Sequence, residues 1–410
     1  MTGPRPMFDL RHAALAYWRA RQITTAQQLQ AVHDRRLQHW LRHDVPRVRQ
    51  YAGFSGTLTD LPIVDKATLM ADFAAFNTAG VTAEMGWAAF AEDRMVGDYV
   101  VGASTGTSGN RGLFVISQAE RFRWLGTILA KALPGFWREQ HRVAILLPLN
   151  TPLYDSANRL RRLSLKFFDL SGDWATGLQA FDPTVIIAPP KILRNLAEQK
   201  MPLTPRKIYA GAEQLDPLDR AVIEAHFGLT LGQIYMATEG LFAVSCTHGT
   251  LHLCQDTMHF ELPAVGDGDL REVIISDFSR QVQIMARYRM NDLVRLAPDC
   301  RCGSPLQPLA EVVGRMDDCF VLGPDKVMLT PDVIRNAVVD SDRRITDFRV
   351  LQTGNGTVSL QVPVGMEVAS AALKRLFQNK GLNITIQPNH TPITLRTDRK
   401  LRRVENRHAR

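Results

Sequence analysis

Thr184-Val-Ile-Ile-Ala-Pro-Pro-Lys-Ile-Leu-Arg-Asn-Leu-Ala-Glu-Gln199 decides the fold class. Its first five residues are a short apolar run of the kind that a strand buried on both faces requires. Pro189-Pro190 stops that run and leads into a helix near Lys191 to Gln199. The same alternation extends outward in both directions. Upstream, a helical pattern over Ala119 to Leu133 precedes the strand Arg142-Val-Ala-Ile-Leu-Leu147. Downstream, strand Lys207-Ile-Tyr-Ala210 precedes helix Pro217 to Phe227, and Leu231-Gly-Gln-Ile-Tyr235 reads as a further strand. Short apolar strands separated by helices predict an α/β domain with mainly parallel sheets.

The pattern changes twice toward the C-terminus. After residue 240, polar-alternating strands (Leu251 to Leu253, His259 to Leu262, Glu272 to Ser276) predict an antiparallel subdomain. Beyond Gly314, Thr330-Pro331-Asp332 carries a hydroxyl N-cap with proline at the first helical position. Strands over Arg344 to Thr353 and Val358 to Val362, a helix over Glu367 to Lys380 and a strand near Asn383 to Gln387 complete a small α+β unit. Toward the N-terminus, residues 9 to 50 place Leu10, Ala13, Leu15, Trp18, Leu29, Val32, Leu37, Trp40 and Leu41 at helical spacing. An extended Leu61-Pro-Ile-Val-Asp-Lys66, a helical stretch through Leu69, Phe73 and Phe76, and strands Asp98 to Val101 and Leu113 to Ser117 come next. A chain of 410 residues is long for one core. The expected division is a large N-terminal domain, 1–316, and a small C-terminal α+β domain, 317–410.

Apolar residues make up 45% of the chain and charged residues 22%, as in ordinary soluble proteins. The net charge of +8 (49 basic against 41 acidic) is uneven, because Arg396 to Arg410 holds seven basic and two acidic side chains. Such a tail suits nucleic acid, a phosphorylated small molecule or plain solvation. With no aromatic side chain among those charges, single-strand binding is disfavoured. No long apolar segment suggests secretion or a membrane span, and five cysteines, an odd number, do not form a disulfide framework. The expectation is a cytoplasmic, reducing location, with neither nucleic acid nor membrane as partner.

Ser104-Thr105-Gly106-Thr107-Ser108-Gly109-Asn110-Arg111-Gly112 sits between two strands. Its three glycines allow positive φ and close backbone approach, and successive N–H groups with four hydroxyls can cradle an anion. Taken alone, the stretch is equally a surface turn, since these residue types are what turns are made of. It is not the phosphate loop of the common nucleotide hydrolases, whose glycines lead into a helix through Gly-Lys-Ser/Thr.

Further short motifs follow in a fixed order: Ala210-Gly-Ala-Glu213, Tyr235-Met-Ala-Thr-Glu239, Arg287-Tyr-Arg-Met-Asn-Asp292, Gly314-Arg-Met-Asp-Asp318 and Arg396-Thr-Asp-Arg-Lys-Leu-Arg-Arg-Val404. Together with the glycine–hydroxyl stretch, Leu61 to Lys66 and Gly249-Thr-Leu-His252, this order resembles the acyl-adenylate-forming superfamily. The likeness is strongest to its phenylacetate–CoA ligase branch and covers most of the chain.

The resemblance implies a chemistry in which a carboxylate attacks the α-phosphorus of ATP and pyrophosphate leaves. All reactants are anionic, so the protein must supply cations and donors where they meet. By likeness, Ser104, Thr105, Gly106, Thr107, Ser108, Gly109 and Arg111 hold the β- and γ-phosphates. Glu239 is the Mg²⁺ ligand, and Thr238 donates to the α-phosphate. Gly211, Ala212 and Glu213 form the adenine segment, beside Tyr235. Asp292 accepts the ribose hydroxyls and Arg315 lies nearby. Lys400 is the catalytic lysine, carried by a mobile C-terminal domain that turns about Asp317; Gly323 would line the thiol tunnel. Glu213, Glu239, Asp292, Asp317 and Lys400 also have bland readings, as helix-start, turn or solvated-tail residues, as do Asp318, Arg399, Arg402 and Arg403. Asn110 stands where many members have a lysine, Met236 replaces a frequent glycine, and Met290-Asn291 a frequent Thr-Gly.

Cys246, His252, Cys300 and Cys302 make a Cys-x₅-His and Cys-x-Cys set around the second group of strands. Tetrahedral zinc takes such ligands, and some members of the branch hold zinc at comparable positions. Reduced free cysteines fit the same residues, His248 and Cys254 are rival ligands, and Cys319 reads as structural. An aryl or arylacetic acid is expected between Tyr209-Ala210-Gly211, Tyr235 and Leu149 to Tyr154, although Tyr209 and Tyr235 are equally core residues. The expected activity is ATP-dependent acid–thiol ligation, with coenzyme A or a carrier-protein thiol as acceptor, by a monomer or homodimer. The alternatives are adenylation with a non-thiol acceptor, or a catalytically silent nucleotide-binding protein.

Overall fold

The computed structural model describes residues 6–104, 111–147, 162–170, 173–266, 268–389, 391, 393 and 402–408. Thr105, Gly106, Thr107, Ser108, Gly109, Asn110, Lys400 and the stretch Leu149 to Tyr154 lie outside the described residues. The chain divides into two compact units: Met1–Met290 with Leu296–Glu311, and Asn291–Arg295 with Val312–Arg410.

The first unit is built on a sheet of eleven strands. Five of them, in spatial order Gly232–Ala237, Lys207–Gly211, Val185–Ala188, His141–Ile145 and Leu163–Phe167, run parallel, with registers Ala210↔Gln233, Ile186↔Ile208, Val143↔Val185 and Val143↔Leu165. Their apolar sequences follow from burial on both faces. Val143 and Ile145 point with Val185 and Tyr209 into a core shared with helices Pro6–Gln22 and Gln118–Ala132. Ala144, Leu146, Ile186 and Ile208 point the other way, against Leu193 and Leu196 of helix Pro190–Glu198 and Ile223 of helix Pro217–Phe227. The first two helices approach closely because residue 126 is glycine; a Cβ there would lie 2.0 Å from the Ala13 carbonyl oxygen.

At Thr238-Glu239 the chain reverses into strand Gly240–Ser245, which pairs antiparallel at Ile234↔Val244. Strands Leu251–Leu253, Pro308–Arg315, Tyr288–Leu296, Leu270–Ser276 and His259–Glu261 then extend the sheet to its far edge. The α/β class with parallel and antiparallel strands stands, and the antiparallel strands continue the same sheet. Of the strands expected to alternate, Leu251–Leu253 is instead buried at every position, whereas His259–Glu261 is half-buried throughout. A separate three-stranded sheet contains Tyr99–Ala103 and Leu113–Ser117, paired antiparallel through Ala103↔Leu113. Ser104 and Gly112 therefore face each other, with the Ser104 N–H donating to the Gly112 carbonyl at 2.8 Å.

The second unit holds a four-stranded sheet in the order Thr385–Pro388, Thr357–Gln361, Arg349–Gly354, Val404–Asn406. Helices Pro331–Val339 and Val368–Asn379 pack Ile334, Leu373 and Phe377 against Phe348, Val350 and Val358. The basic tail is not merely solvated. Arg402 and Arg403 pair with Asp318 and Asp347 at 3.2 and 2.9 Å, and Val404 joins the sheet in parallel register with Val350.

Candidate active site

Thr238 and Glu239 occupy the turn that follows the last parallel strand, at its carboxyl end, where open α/β sheets hold ligands. The turn fixes Glu239 with its carboxylate turned inward, and the residue is 8% exposed. One carboxylate oxygen accepts the Thr238 hydroxyl at 2.7 Å and the other the Tyr288 hydroxyl at 3.2 Å. Arg280 donates to the Thr238 carbonyl at 2.7 Å, and its Nε lies 3.5 Å from Asp277. Gln283 accepts the Val115 N–H at 3.0 Å, tying this group to the strand after the glycine–hydroxyl stretch. Glu239, Thr238, Tyr288, Arg280, Lys66 and Gly112 line one narrow cleft. One carboxylate with two cations offers a hard oxygen ligand for a divalent cation and positive partners for phosphate oxygens.

At the stretch itself, the Ser104 hydroxyl accepts the Gly112 N–H at 2.7 Å. The Arg111 guanidinium lies 4.9 Å from the Trp87 ring centre and 5.3 Å from that of Phe90, with Nε 3.4 Å from the Ser104 carbonyl. Next to the turn, Gly211 ends a parallel strand, and Ala212 takes a φ of 65°, uncommon for a side chain with a Cβ. The Glu213 carboxylate is 2.9 Å from Lys191 in a buried ion pair. Tyr235 is half-buried, its ring 4.9 Å from that of Phe242. Tyr209 is not at a ligand-facing edge: its hydroxyl donates to the Ala132 carbonyl at 2.7 Å inside the core, and burial pushes its pKa up.

Within the second unit, Arg315 Nε lies 3.8 Å from an Asp292 carboxylate oxygen. Asp317 is exposed in the turn Met316–Asp318, whereas Asp318 is buried. Gly323 has a φ of 72° and sits against Leu382, whose Cδ2 would be 2.8 Å from a Cβ.

Cys246, His252, Cys300 and Cys302 come together on the first unit, with ligand atoms all within 4.8 Å of one another. The Cys246 and Cys300 sulfurs are 3.8 Å apart, and Cys302 Sγ is 3.4 Å from His252 Nε2. His252 Nδ1 is 3.0 Å from the Leu306 carbonyl, so Nδ1 carries the proton and Nε2 keeps its lone pair for a ligand. Burial works to raise the Cys300 thiol, but hydrogen bonds from the Cys302 backbone, Thr250 and His252 hold it down, at about 6. His248 and Cys254 are outside this cluster. Cys254 is fully buried, and burial pushes its thiol up to about 12.

No family model matches the chain. A curated relative, the phenylacetate–coenzyme A ligase of Pseudomonas putida, is 27% identical over 163 residues, which is 35% of this chain and 37% of that one. Among solved structures, 2-hydroxyisobutyryl-CoA ligase in its postadenylation state matches with a TM-score of 0.67 at 18% identity, over 94% of this chain and 90% of its own. An acyl acid amido synthetase matches with a TM-score of 0.59 at 13% identity, over 90% and 87%. The chain has the acyl-adenylate-forming fold.

On that fold, the structure brings Thr238, Glu239, Ser104 and Gly112 to one region of the first unit, and Asp292 and Arg315 together in the second. The hydroxyl and the two cations of the Glu239 cleft, from Tyr288, Lys66 and Arg280, are among the lining residues that the sequence reading does not single out as site residues. Lys66 and Tyr288 stand inside motifs that the acyl-adenylate-forming resemblance already contained. Arg280 lies in no such motif and gave no signal. Among the described residues, no helix is long and apolar enough to cross a membrane.

Proposed function

We propose that this protein activates a carboxylic acid with ATP and transfers the acyl group to a thiol. A carboxylate oxygen attacks the α-phosphorus, the bond to the bridging oxygen breaks, and pyrophosphate leaves with the electron pair. A thiolate then attacks the acyl carbon and AMP departs. The observation that carries the reading is the Glu239 turn, with a buried, doubly hydrogen-bonded carboxylate beside two basic side chains at the end of the parallel strands. Each Glu239 oxygen accepts one hydroxyl and retains a lone pair, so the group fits as a hard oxygen ligand for Mg²⁺, which when bound neutralises phosphate charge. Residues 104–112 would hold the outer phosphates, Gly211 and Ala212 the adenine, and Asp292 the ribose. Glu213 and Tyr235 would border that adenine segment. Lys400 would bring an ammonium to the reacting carboxylate and α-phosphate, the small domain turning about Asp317 between the two half-reactions. An aryl or arylacetic acid is favoured by the likeness to phenylacetate–CoA ligase.

Cys246, His252, Cys300 and Cys302 would hold a structural zinc ion, which fits three sulfurs and one imidazole nitrogen already gathered with the tautomer set. A second reading ends in an amide or another non-thiol product, and the likeness to the acyl acid amido synthetase favours it. Pyrophosphate release with a panel of aryl acids tests the first half-reaction. Mass spectrometry after adding coenzyme A separates the two endings: a thioester supports the first reading, and acyl-AMP that accumulates unchanged defeats it.

A further inference from the structure

The cations of the Glu239 cleft are not equivalent. Arg280 is committed to its surroundings, donating to the Thr238 carbonyl at 2.7 Å and lying 3.5 Å from Asp277. Arg111, the basic residue of the glycine–hydroxyl stretch, rests over the Trp87 and Phe90 rings. Lys66 is half-buried in the cleft wall, and among the described residues its ammonium has neither an ion-pair partner nor a hydrogen-bond acceptor. Holding a flexible cation in a cleft without a counter-charge costs solvation and side-chain entropy, and an anion in the cleft would offset both.

The backbone fixes where that ammonium starts. The Val64 N–H donates to the Arg287 carbonyl at 3.0 Å, and the Arg289 N–H to the Val64 carbonyl at 2.8 Å. Arg287 also donates to the Leu61 carbonyl at 2.8 Å while pairing with Glu261 at 2.8 Å. Asp65 then caps the turn that begins at Lys66, accepting the Thr68 N–H at 2.8 Å. Lys66 and Tyr288, whose hydroxyl reaches Glu239, therefore hang from one short ladder. On the opposite side, a Cβ built on Gly112 would lie 3.3 Å from Lys66 Cε and 3.7 Å from Nζ. The ammonium end is thus set against the point where the chain leaves the glycine–hydroxyl stretch.

We infer that Lys66 is a substrate-binding residue, the ammonium that meets the β- and γ-phosphates of ATP and the departing pyrophosphate. The inference rests on the adenylation proposed above and assigns the phosphate charge to a residue outside the glycine–hydroxyl stretch. A point charge on a flexible stem can follow the pyrophosphate as the bridging bond lengthens.

The test compares the full-length protein with Lys66→Met and Lys66→Arg, measuring Mg-ATP and AMP binding by calorimetry and the melting temperature of each. Lys66→Met is expected to weaken ATP roughly ten- to a hundredfold, the range of one charge-assisted contact, with AMP changed less than about twofold. Lys66→Arg is expected to recover most of the ATP affinity, and all three proteins to melt alike. Unchanged ATP affinity in Lys66→Met overturns the assignment, as does an equal loss for ATP and AMP, which marks a structural role. If the wild-type protein binds neither nucleotide, the adenylation reading falls and this assignment with it. If the wild type binds both and Lys66→Met binds ATP as tightly as the wild type does, the assignment alone falls.

Discussion

Glu239 is buried and its carboxylate accepts two hydroxyls, so the group cannot swing freely and is presented at a fixed position. Glu239→Gln keeps the shape and removes the charge; pyrophosphate exchange is expected to fall on the order of a hundredfold while the melting temperature stays within a few degrees. Tyr288→Phe removes the donor to the second oxygen, and denaturant unfolding should read a loss of about 1 kcal/mol. The same logic applies more strongly at Lys191 and Glu213, an ion pair whose side chains are 0% and 3% exposed. Lys191→Met leaves a buried carboxylate uncompensated, and unfolding should register a loss of about 3–5 kcal/mol, largely recovered in the Lys191→Met/Glu213→Leu double variant. A double variant no more stable than the single one would show that the pair is not the relevant unit.

At the scale of elements, the helix Gln118–Ala132 shows how one residue serves two purposes. Ser117 and Glu120 form a capping box, one Glu120 oxygen accepting the Ser117 N–H and hydroxyl at 2.7 Å each. The other oxygen accepts the backbone N–H groups of Gln281 and Val282 at 2.6 and 3.0 Å, in the segment that carries Arg280 and Gln283. Ser117→Ala should therefore cost about 1 kcal/mol, an ordinary cap. Glu120→Ala should cost more, about 2–3 kcal/mol, because buried donors on a second element lose their acceptor. Equal losses in thermal melts would mean that the contact with Gln281 and Val282 contributes nothing. The helix itself was readable from its periodicity, whereas its tie to residues 281–282 was not, since 161 residues separate the partners.

At the scale of the molecule, the cysteine–histidine cluster joins residues 246–252 to 300–302, and a metal there would close a long loop of the first unit. Metal analysis is expected to return one zinc per chain, and a strong chelator to lower the melting temperature by several degrees. Protein free of metal and indifferent to the chelator would leave reduced cysteines as the reading. In the second unit, the strand Val404–Asn406 closes the sheet beside Arg349–Gly354, and Asn406 donates to the buried Cys319 carbonyl at 2.9 Å. Little of this could be read from a run of basic residues.

Local pattern alone determined the α/β class, the parallel strands and the order of the motifs, because a strand buried on both faces must be apolar and a proline pair must end it. The acyl-adenylate-forming resemblance marked Glu239, and side-chain chemistry marked the four zinc-type ligands. What only the tertiary structure decided was partnership. Glu213 meets Lys191, Tyr209 turns into the core, Arg111 lies on two aromatic rings, and Lys66 lies beside Gly112 with no ion-pair partner among the described residues. Those outcomes depend on which distant groups the sheet brings within a few ångströms, and the energy of a charge is set by its neighbours in space rather than in sequence.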